Sequence, residues 1–167
     1  LGRELNDGQI KSTEQNVGLI KEVEAEVRAT VQKIKTSGFP EEKINARGQM
    51  TVWQRITYLV DPGTWCPLHT LYNPEGNAEG HTNVFDGLAK ISGKWCVVIG
   101  FDNKVLAGAW VAGQPDNILR VTNLSKRLNV PLVWLVTCSG VKLPEQEKFY
   151  ANRRGSGTAF FRHAELN

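Results

Sequence analysis

The sequence is poor in the residues from which most metal and disulfide sites are built. It has three cysteines and three histidines in 167 residues, at wide spacing. An odd number of scattered cysteines makes no disulfide framework, which favours a reducing, cytoplasmic environment. Cys66 and His69 have the spacing of half a zinc site, but the remaining cysteines and histidines are isolated. We therefore predict packed or surface roles for these two residues and no metal site.

Two further absences narrow the class of protein. No apolar run approaches the roughly 20 residues of a membrane span, and the N-terminus has no secretory hydrophobic segment. The net charge is only +3, from 20 basic and 17 acidic residues that are dispersed along the chain. A nucleic-acid surface needs a larger and more clustered positive charge. The composition indicates a globular chain of one-domain size with no nucleic-acid partner.

What the chain does contain first is helical periodicity. Apolar residues recur every three or four positions over 12–36, which predicts an amphipathic helix that packs on the rest of the fold or on a partner subunit. A second helix is predicted over 50–60. Residues 69–83 are polar and rich in turn residues, so we expect a surface loop there. We assign 1–45 to an N-terminal helical extension and 46–167 to the following domain.

The pattern in the second part of the chain is α/β. Strands are predicted over 87–91, 95–101 and 104–110, then a helix over 114–128 and a last strand over 132–138. A strand, a helix and a strand in this order imply a crossover connection onto a sheet that helices cover.

The most informative stretch is "VTCSGVKLPEQ", residues 136–146, where a buried strand ends in small residues before a predicted helix. Three interpretations are open from the residues alone. Ser139 and Lys142 match the S-x-x-K pattern of penicillin-recognising enzymes, although the accompanying S-D-N and K-T-G elements are absent. Alternatively, free backbone N–H groups at the start of the helix, beside a flexible Gly140, bind an oxyanion. The third interpretation is a purely structural turn.

Longer motifs resemble one family, the biotin-dependent acyl-CoA carboxyltransferases. "GQMT" at 48–51 and "LVDPGTW" at 59–65 resemble the opening of that family's domain, and the later strand ending in Ser139-Gly140 resembles its strand and S-G-G-A-R turn. The stretches "INARGQMT", "TNVFDGLAKISGKW" and "ANRRGSGTAFFRHAEL" are similar to the glutaconyl-CoA branch of the family. This branch shares the Val-Lys-Leu at 141–143 that replaces Gly-Ala-Arg.

The resemblance implies a fold and a function. The fold is the α/β crotonase-like ββα superhelix, with two such domains per chain, and this sequence is expected to be the first part of the N-terminal one. Active sites lie between two subunits, which implies a homodimer or a larger homo-oligomer. The implied reaction transfers carboxylate from glutaconyl-CoA to biotin carried on a separate subunit, and gives crotonyl-CoA. A membrane subunit then decarboxylates the biotin and pumps sodium ions, as in glutamate fermentation. The location would be cytoplasmic, held at the inner membrane by partner subunits.

The resemblance also implies roles for individual residues. The Val141 N–H is the expected oxyanion donor, supported by Gly140, and a second donor is expected beyond residue 167, so the isolated chain should be inactive. Substrate binding, including the carboxylate or the CoA phosphates, is expected from Ser139, Lys142, Tyr150, Arg153 and Arg154. Two alternatives stay open: a carboxyltransferase for another short acyl-CoA, and a non-catalytic scaffold or subunit-contact fragment of such a complex.

Overall fold

The computed structural model describes residues 2–150 and 153–166. The chain divides into two compact units, Leu1–Lys35 and Thr36–Asn167. The domain boundary after residue 45 stays a prediction.

The first unit contains the long helix α1 (Asp7–Thr36) except for its last residue. It begins five residues before the predicted start, because Asn6 and Gln9 cap it reciprocally. The Gln9 N–H donates to Asn6 Oδ1 at 2.9 Å, and the Asn6 N–H donates to Gln9 Oε1 at 3.0 Å. Arg28 and Glu24 pair one turn apart on the exposed surface of the helix.

The second unit is built on one mixed sheet. Its strands are β1 (Cys66–Leu68), β2 (Val84–Ile91), β3 (Lys94–Phe101) and β4 (Leu132–Leu135), in the order β1-β2-β3-β4. β2 is antiparallel to both β1 and β3, whereas β3 and β4 are parallel. The β2–β3 hairpin turns at Ser92 and Gly93, whose N–H groups donate to the Asp61 carboxylate at 3.0 and 2.7 Å. Consequently β1, β3 and β4 all end at the same edge of the sheet.

Helices cover both faces of this sheet. They are α2 (Glu41–Asn45), α3 (Val52–Leu59), α4 (Gln114–Leu128), α5 (Gln146–Tyr150) and α6 (Ser156–Leu166), with 3₁₀ turns at Leu106–Gly108 and Leu143–Glu145. α4 makes the crossover from β3 to β4 over the predicted residues, and its Ile118 packs in one cluster with Ile99 and Phe101. On the other face, Val52 of α3 occupies the space beside Gly100. α6 packs on α4.

The strand predicted over 104–110 is wrong. Leu106, Ala107 and Gly108 have φ values of 48°, 52° and 78°, so they form a left-handed turn. The Asp102 side chain accepts the Lys104 N–H at 2.9 Å and starts this turn directly after β3. The strand-like composition is overridden here by the hydrogen bond of the Asp102 side chain and by the close contact of Gly108 with the Thr137 carbonyl.

Two other predictions need correction. β4 ends at Leu135 rather than at residue 138, because Arg55 Nη1 binds the Thr137 hydroxyl at 2.8 Å and lies 3.4 Å from the Leu135 carbonyl oxygen. The loop 69–83 is not wholly on the surface, since His81, Thr82 and Asn83 are each 1% exposed. Their polar groups have partners: the Asn83 N–H donates to His81 Nδ1, and Asn117 Nδ2 donates to Thr82 Oγ1.

Candidate active site

In the turn after β4, residues 136–142, the backbone N–H of Val141 points away from its neighbours. Trp110 and Val141 form a parallel bridge, in which the Trp110 N–H donates to the Gly140 carbonyl at 2.9 Å and the Lys142 N–H donates to the Trp110 carbonyl at 3.0 Å. In this pattern the N–H of Val141 itself faces the opposite side. Among the described residues it has no hydrogen-bond partner. The turn therefore offers a fixed, free donor, which is what an oxyanion requires.

Gly140 leaves the approach to this donor open. Its φ is 111°, a conformation that favours glycine, and no described atom lies within 4 Å of the position that a Cβ would take. Its own N–H lies 3.3 Å from Cys138 Sγ. A ligand can reach the backbone at this point without meeting a side chain on residue 140.

The Ser139 hydroxyl is engaged in holding the turn. Its Oγ donates to the Leu106 carbonyl at 2.8 Å, which ties the turn after β4 to the left-handed turn after β3. A carbonyl oxygen cannot act as the general base that a serine nucleophile needs. The geometry favours an anchoring role for Ser139.

Lys142 does not present a free charge at the turn. Its Nζ lies 2.5 Å from Glu145 Oε1, and Glu145 Oε2 accepts the Ala112 N–H at 2.9 Å. The hydrogen bond to Glu145 raises the pKa of Lys142. The helix that follows is only a 3₁₀ turn and the five residues of α5, so its dipole adds less than the sequence suggested.

Arg153 and Arg154 line a cavity that is separate from the turn after β4. With Arg120 of α4 and Arg162 of α6 they line this cavity of about 590 Å³, which also contains Asp116. Arg154 Nε lies 3.5 Å from Asp116 Oδ1, and the Arg153 side chain has no ion pair among the described residues. The turn residues 139–142 are not among the residues that line this cavity.

The remaining candidates are spread around these two places. Tyr150 is 58% exposed and packs edge-on against Phe149. Sequence reasoning missed Arg120 and Arg162 as partners of Arg153, although Arg120 stands one helical turn after Asp116, to which it pairs at 3.2 Å.

Cys66 and His69, which have the spacing of half a zinc site, lie in different surroundings. His69 Nδ1 lies 2.8 Å from the buried Asp86 carboxylate, and Cys66 is an exposed free thiol. Within residues 2–150 and 153–166, no group of three or more His, Cys, Asp or Glu side chains could hold a metal ion. Among the helices of the same residues, none combines the length and apolar character needed to cross a bilayer.

An antiparallel strand pair, a crossover helix and a further parallel strand that ends in a donor-bearing turn define a crotonase-like α/β domain. The chain belongs to the carboxyl transferase domain family, which matches residues 43–167.

Relatives in sequence and in structure agree with this assignment. The chain is 47% identical over its whole length to "Glutaconyl-CoA decarboxylase subunit alpha" of Acidaminococcus fermentans, and covers 28% of that protein. It is 28% identical over 156 residues to the mitochondrial methylcrotonoyl-CoA carboxylase beta chain of Dictyostelium discoideum, covering 85% of this chain and 25% of the relative. The chain thus spans little more than a quarter of these curated relatives.

Solved structures share the fold, among them the following two. The beta subunit of P. aeruginosa geranyl-CoA carboxylase matches with a TM-score of 0.72 at 19% identity, over 99% of this chain and 32% of that one. Transcarboxylase 12S, solved as a hexamer with hydrolysed methylmalonyl-coenzyme A, matches with a TM-score of 0.70 at 15% identity, over 85% and 28%. The predicted crotonase-like fold of carboxyltransferase subunits is confirmed.

Proposed function

We propose that this chain forms part of the carboxyltransferase subunit of a biotin-dependent enzyme that takes carboxylate from glutaconyl-CoA and leaves crotonyl-CoA. Support for the substrate comes from the 47% identity to the alpha subunit of glutaconyl-CoA decarboxylase. Support for the chemistry comes from one observation, the unpartnered Val141 N–H beside the open Gly140.

The proposed role of the turn follows from where charge develops in the reaction. When the C–C bond to the carboxylate breaks, the electron pair spreads through the conjugated chain onto the thioester oxygen. A fixed N–H aimed at this oxygen stabilises the resulting dienolate more than the neutral thioester, without any proton transfer. In our proposal Val141 is that donor, while the bonds of Trp110 to Gly140 and Lys142 keep the peptide in place. The second donor is proposed to come from outside the described residues.

Biotin is the proposed acceptor and is carried on a separate subunit. When bound, it supplies a ring nitrogen that takes up the carboxyl group. In this proposal the Val141 N–H is assigned to the thioester, and no described residue is assigned to biotin.

The other predicted site residues keep supporting roles in this proposal. Ser139 anchors the turn, and Lys142 with Glu145 fixes its exit. Arg153 and Arg154, with Tyr150 nearby in sequence, are proposed to meet a carboxylate or phosphate of the acyl-CoA, because guanidinium groups bind both in a bidentate manner.

The proposed assembly has further subunits. We propose a homodimer or larger homo-oligomer that works with a biotin-carrier subunit and with a membrane subunit that decarboxylates biotin and pumps sodium ions. In this proposal the protein is cytoplasmic, is held at the inner membrane by its partners and acts in glutamate fermentation. Residues 46–167 are proposed as the first part of the catalytic domain, after a helical extension.

Single-turnover carboxyl transfer to free biotin tests the proposal directly. The intact subunit is mixed with glutaconyl-CoA and, separately, with other short carboxylated acyl-CoAs, and the transferred carboxylate is counted. We expect glutaconyl-CoA to react fastest. A faster reaction of another acyl-CoA would replace the proposed substrate, and no transfer from any of them, with acyl-CoA still bound, would favour a scaffold.

A further inference from the structure

A further concave surface lies beside β1 and adjoins the cavity of Arg153 and Arg154, with which it shares Arg120 and Asn123. It has a volume of about 390 Å³ and is lined by Leu68, His69, Arg120, Asn123, Leu124 and Arg127. The polar lining therefore consists of two guanidinium groups, one imidazole and one amide, with no carboxylate among these residues. Such a lining suits an anion with several acceptor oxygens.

The imidazole is held by a buried acid. Asp86 lies on β2 opposite Leu68 and is 1% exposed, and its Oδ1 is 2.8 Å from His69 Nδ1. A carboxylate buried under a helix is unfavourable without a charged or hydrogen-bonding partner. His69 supplies that partner from a left-handed conformation, with φ at 50°. Because Nδ1 faces Asp86, Nε2 is the nitrogen that remains for a ligand.

The charge of His69 depends on the same contact. The hydrogen bond to Asp86 raises the pKa of His69, against the effects of burial and of Arg120, which lower it. Among the described residues, the charged groups that act on His69 are Asp86 from β2 and Arg120 from α4, and Arg127 of α4 lines the same cavity. Protonated His69 adds a third positive charge to the lining.

The two arginines stand on one face of α4. Asn123 and Arg127 follow Arg120 by three and seven residues, a spacing that places side chains along the same side of a helix. Arg120 is oriented by Asp116 at 3.2 Å and lies 4.4 Å from the centroid of the Tyr72 ring. Arg127 has no ion pair among the described residues, so its guanidinium fork is available to a ligand.

The position of this cavity relates it to the turn that bears Val141. β1 and β4 run in the same direction, and His69 follows β1 as the turn follows β4. The His69 side of the cavity is therefore at the same end of the sheet as the turn, whereas Arg127, in the last turn of α4, lies toward the start of β4.

We propose that the cavity is a phosphoryl-binding site in which Arg120, Asn123 and Arg127 hold a phosphate dianion and Asp86 positions His69 against it. The phosphate is either the 3′-phosphate of coenzyme A, in which case the site rests on the proposed function, or free inorganic phosphate. A guanidinium fork matches two phosphate oxygens at once, which a lysine would not do.

Calorimetric binding to the intact protein tests this site with three probes: coenzyme A, dephospho-coenzyme A and inorganic phosphate. Arg127→Gln should weaken the binding of coenzyme A or of inorganic phosphate, whichever occupies the site, about tenfold. This is the value of one lost charge-assisted hydrogen bond. Arg47→Gln, an exposed arginine outside the cavity, is the matched control and should bind like the parent. If Arg127→Gln removes a preference for coenzyme A over dephospho-coenzyme A, the source is the coenzyme. If only inorganic phosphate responds, the source is free phosphate. Unchanged affinity for all three probes in Arg127→Gln would overturn the site.

A pH profile tests the positioning role of Asp86. Sulfate is the probe, since its two negative charges do not change near neutral pH. Parent affinity should fall as the pH rises through the raised pKa of His69, because the proton is then lost. Asp86→Asn should move this fall to lower pH, and His69→Asn should remove it. Identical profiles for the parent and His69→Asn would contradict the part given to His69. These binding readouts do not use carboxyl transfer, so they can fail while the proposed function holds, and the reverse.

Discussion

Two segments leave the same edge of the sheet, one after β3 and one after β4, and their backbones differ sharply. In the β3 connection, residues 102–110, most residues are buried, and the N–H groups of Asp102, Val105, Gly108 and Ala109 all donate to carbonyl oxygens of the chain. The β4 turn, residues 136–142, is mostly exposed and leaves the Val141 N–H without a partner among the described residues. These four donors of the first segment are paired, whereas the Val141 N–H in the second segment is not.

The β3 connection holds the β4 turn in place. Gly108 lies against the Thr137 carbonyl, Leu106 accepts the Ser139 hydroxyl, and Trp110 bridges Gly140 and Lys142. Leu106 adopts a positive φ, which is unfavourable by about 1 to 3 kcal/mol for a residue with a side chain. Backbone strain and burial are therefore found in the β3 connection, which supports the turn, and the free donor lies in the β4 turn.

The largest effect should come from the closest contact between the segments. A Cβ on Gly108 would lie 2.4 Å from the Thr137 carbonyl oxygen, at a φ of 78°. Gly108→Ala should therefore lower the free energy of unfolding by roughly 3 to 4 kcal/mol in urea denaturation, from strain and overpacking together. Gly93→Ala is the matched control, because Gly93 has a φ of 79° and nothing within 4 Å. It should lose only about 1 to 2 kcal/mol. Equal losses would show that the contact with Thr137 is unimportant.

The next largest effect should come from Asp102, a buried acid of the β3 connection, and it depends on pH. Burial raises the pKa of Asp102 to about 6, although the Lys104 N–H and charge lower it. The contribution of Asp102 to stability is therefore fully present below its ordinary pKa of 3.8 and is lost as the pH rises through about 6. Asp102→Asn keeps an oxygen for the Lys104 N–H and should raise the free energy of unfolding at neutral pH by about 2 kcal/mol.

A second buried group sets the shape of the pH profile. Burial lowers the pKa of His81 from 6.5 to about 4, with help from Lys104, so its contribution is present above 6.5 and is lost as the pH falls through 4. In the parent these two contributions offset each other between about pH 4 and 6. Urea midpoints of Asp102→Asn should instead rise steadily with pH over this range. A variant that follows the parent profile would show that Asp102 is not the titrating group.

The smallest effect should come from the side chain in the exposed turn. Ser139→Ala removes one hydrogen bond to Leu106 and should cost about 1 kcal/mol in stability. Carboxyl transfer should keep most of its rate, because the donor is a neighbouring backbone group. Mass spectrometry after turnover provides the check. A loss of roughly a thousandfold, with an acyl adduct on Ser139 in the parent, would identify a nucleophile instead.

Periodic segments were predictable from sequence and contact-dependent ones were not. The helix α4 was predicted over its full range, because its apolar residues follow a 3.6-residue period, and the β-branched run of β3 identified the central strand. The three-residue strand β1 contains Pro67 and has no such pattern. The left-handed turn at Leu106–Gly108 was read as a strand, since its conformation depends on Thr137, far along the chain.

The residues of the candidate site were likewise only partly predictable from the sequence. A run of small residues after a strand marked Ser139 and Gly140, and resemblance to a family added Val141. That the Val141 N–H stays unpaired depends on the bridge with Trp110, which no local pattern encodes. The convergence of Arg120 and Arg162 likewise depends on the packing of α6 on α4.

The most direct test of a backbone donor removes the N–H and leaves the rest of the turn. Both bridge hydrogen bonds use Gly140 and Lys142 atoms, so Val141→Pro deletes the free N–H without touching them. Val141→Ala keeps the N–H and is the control. Single-turnover carboxyl transfer from glutaconyl-CoA in the intact subunit should stay near the parent rate in Val141→Ala. It should fall about a hundredfold in Val141→Pro, or roughly 3 kcal/mol of transition-state stabilisation, with acyl-CoA binding largely retained. A proline variant that transfers carboxylate at the parent rate would contradict the assignment of Val141 as the oxyanion donor.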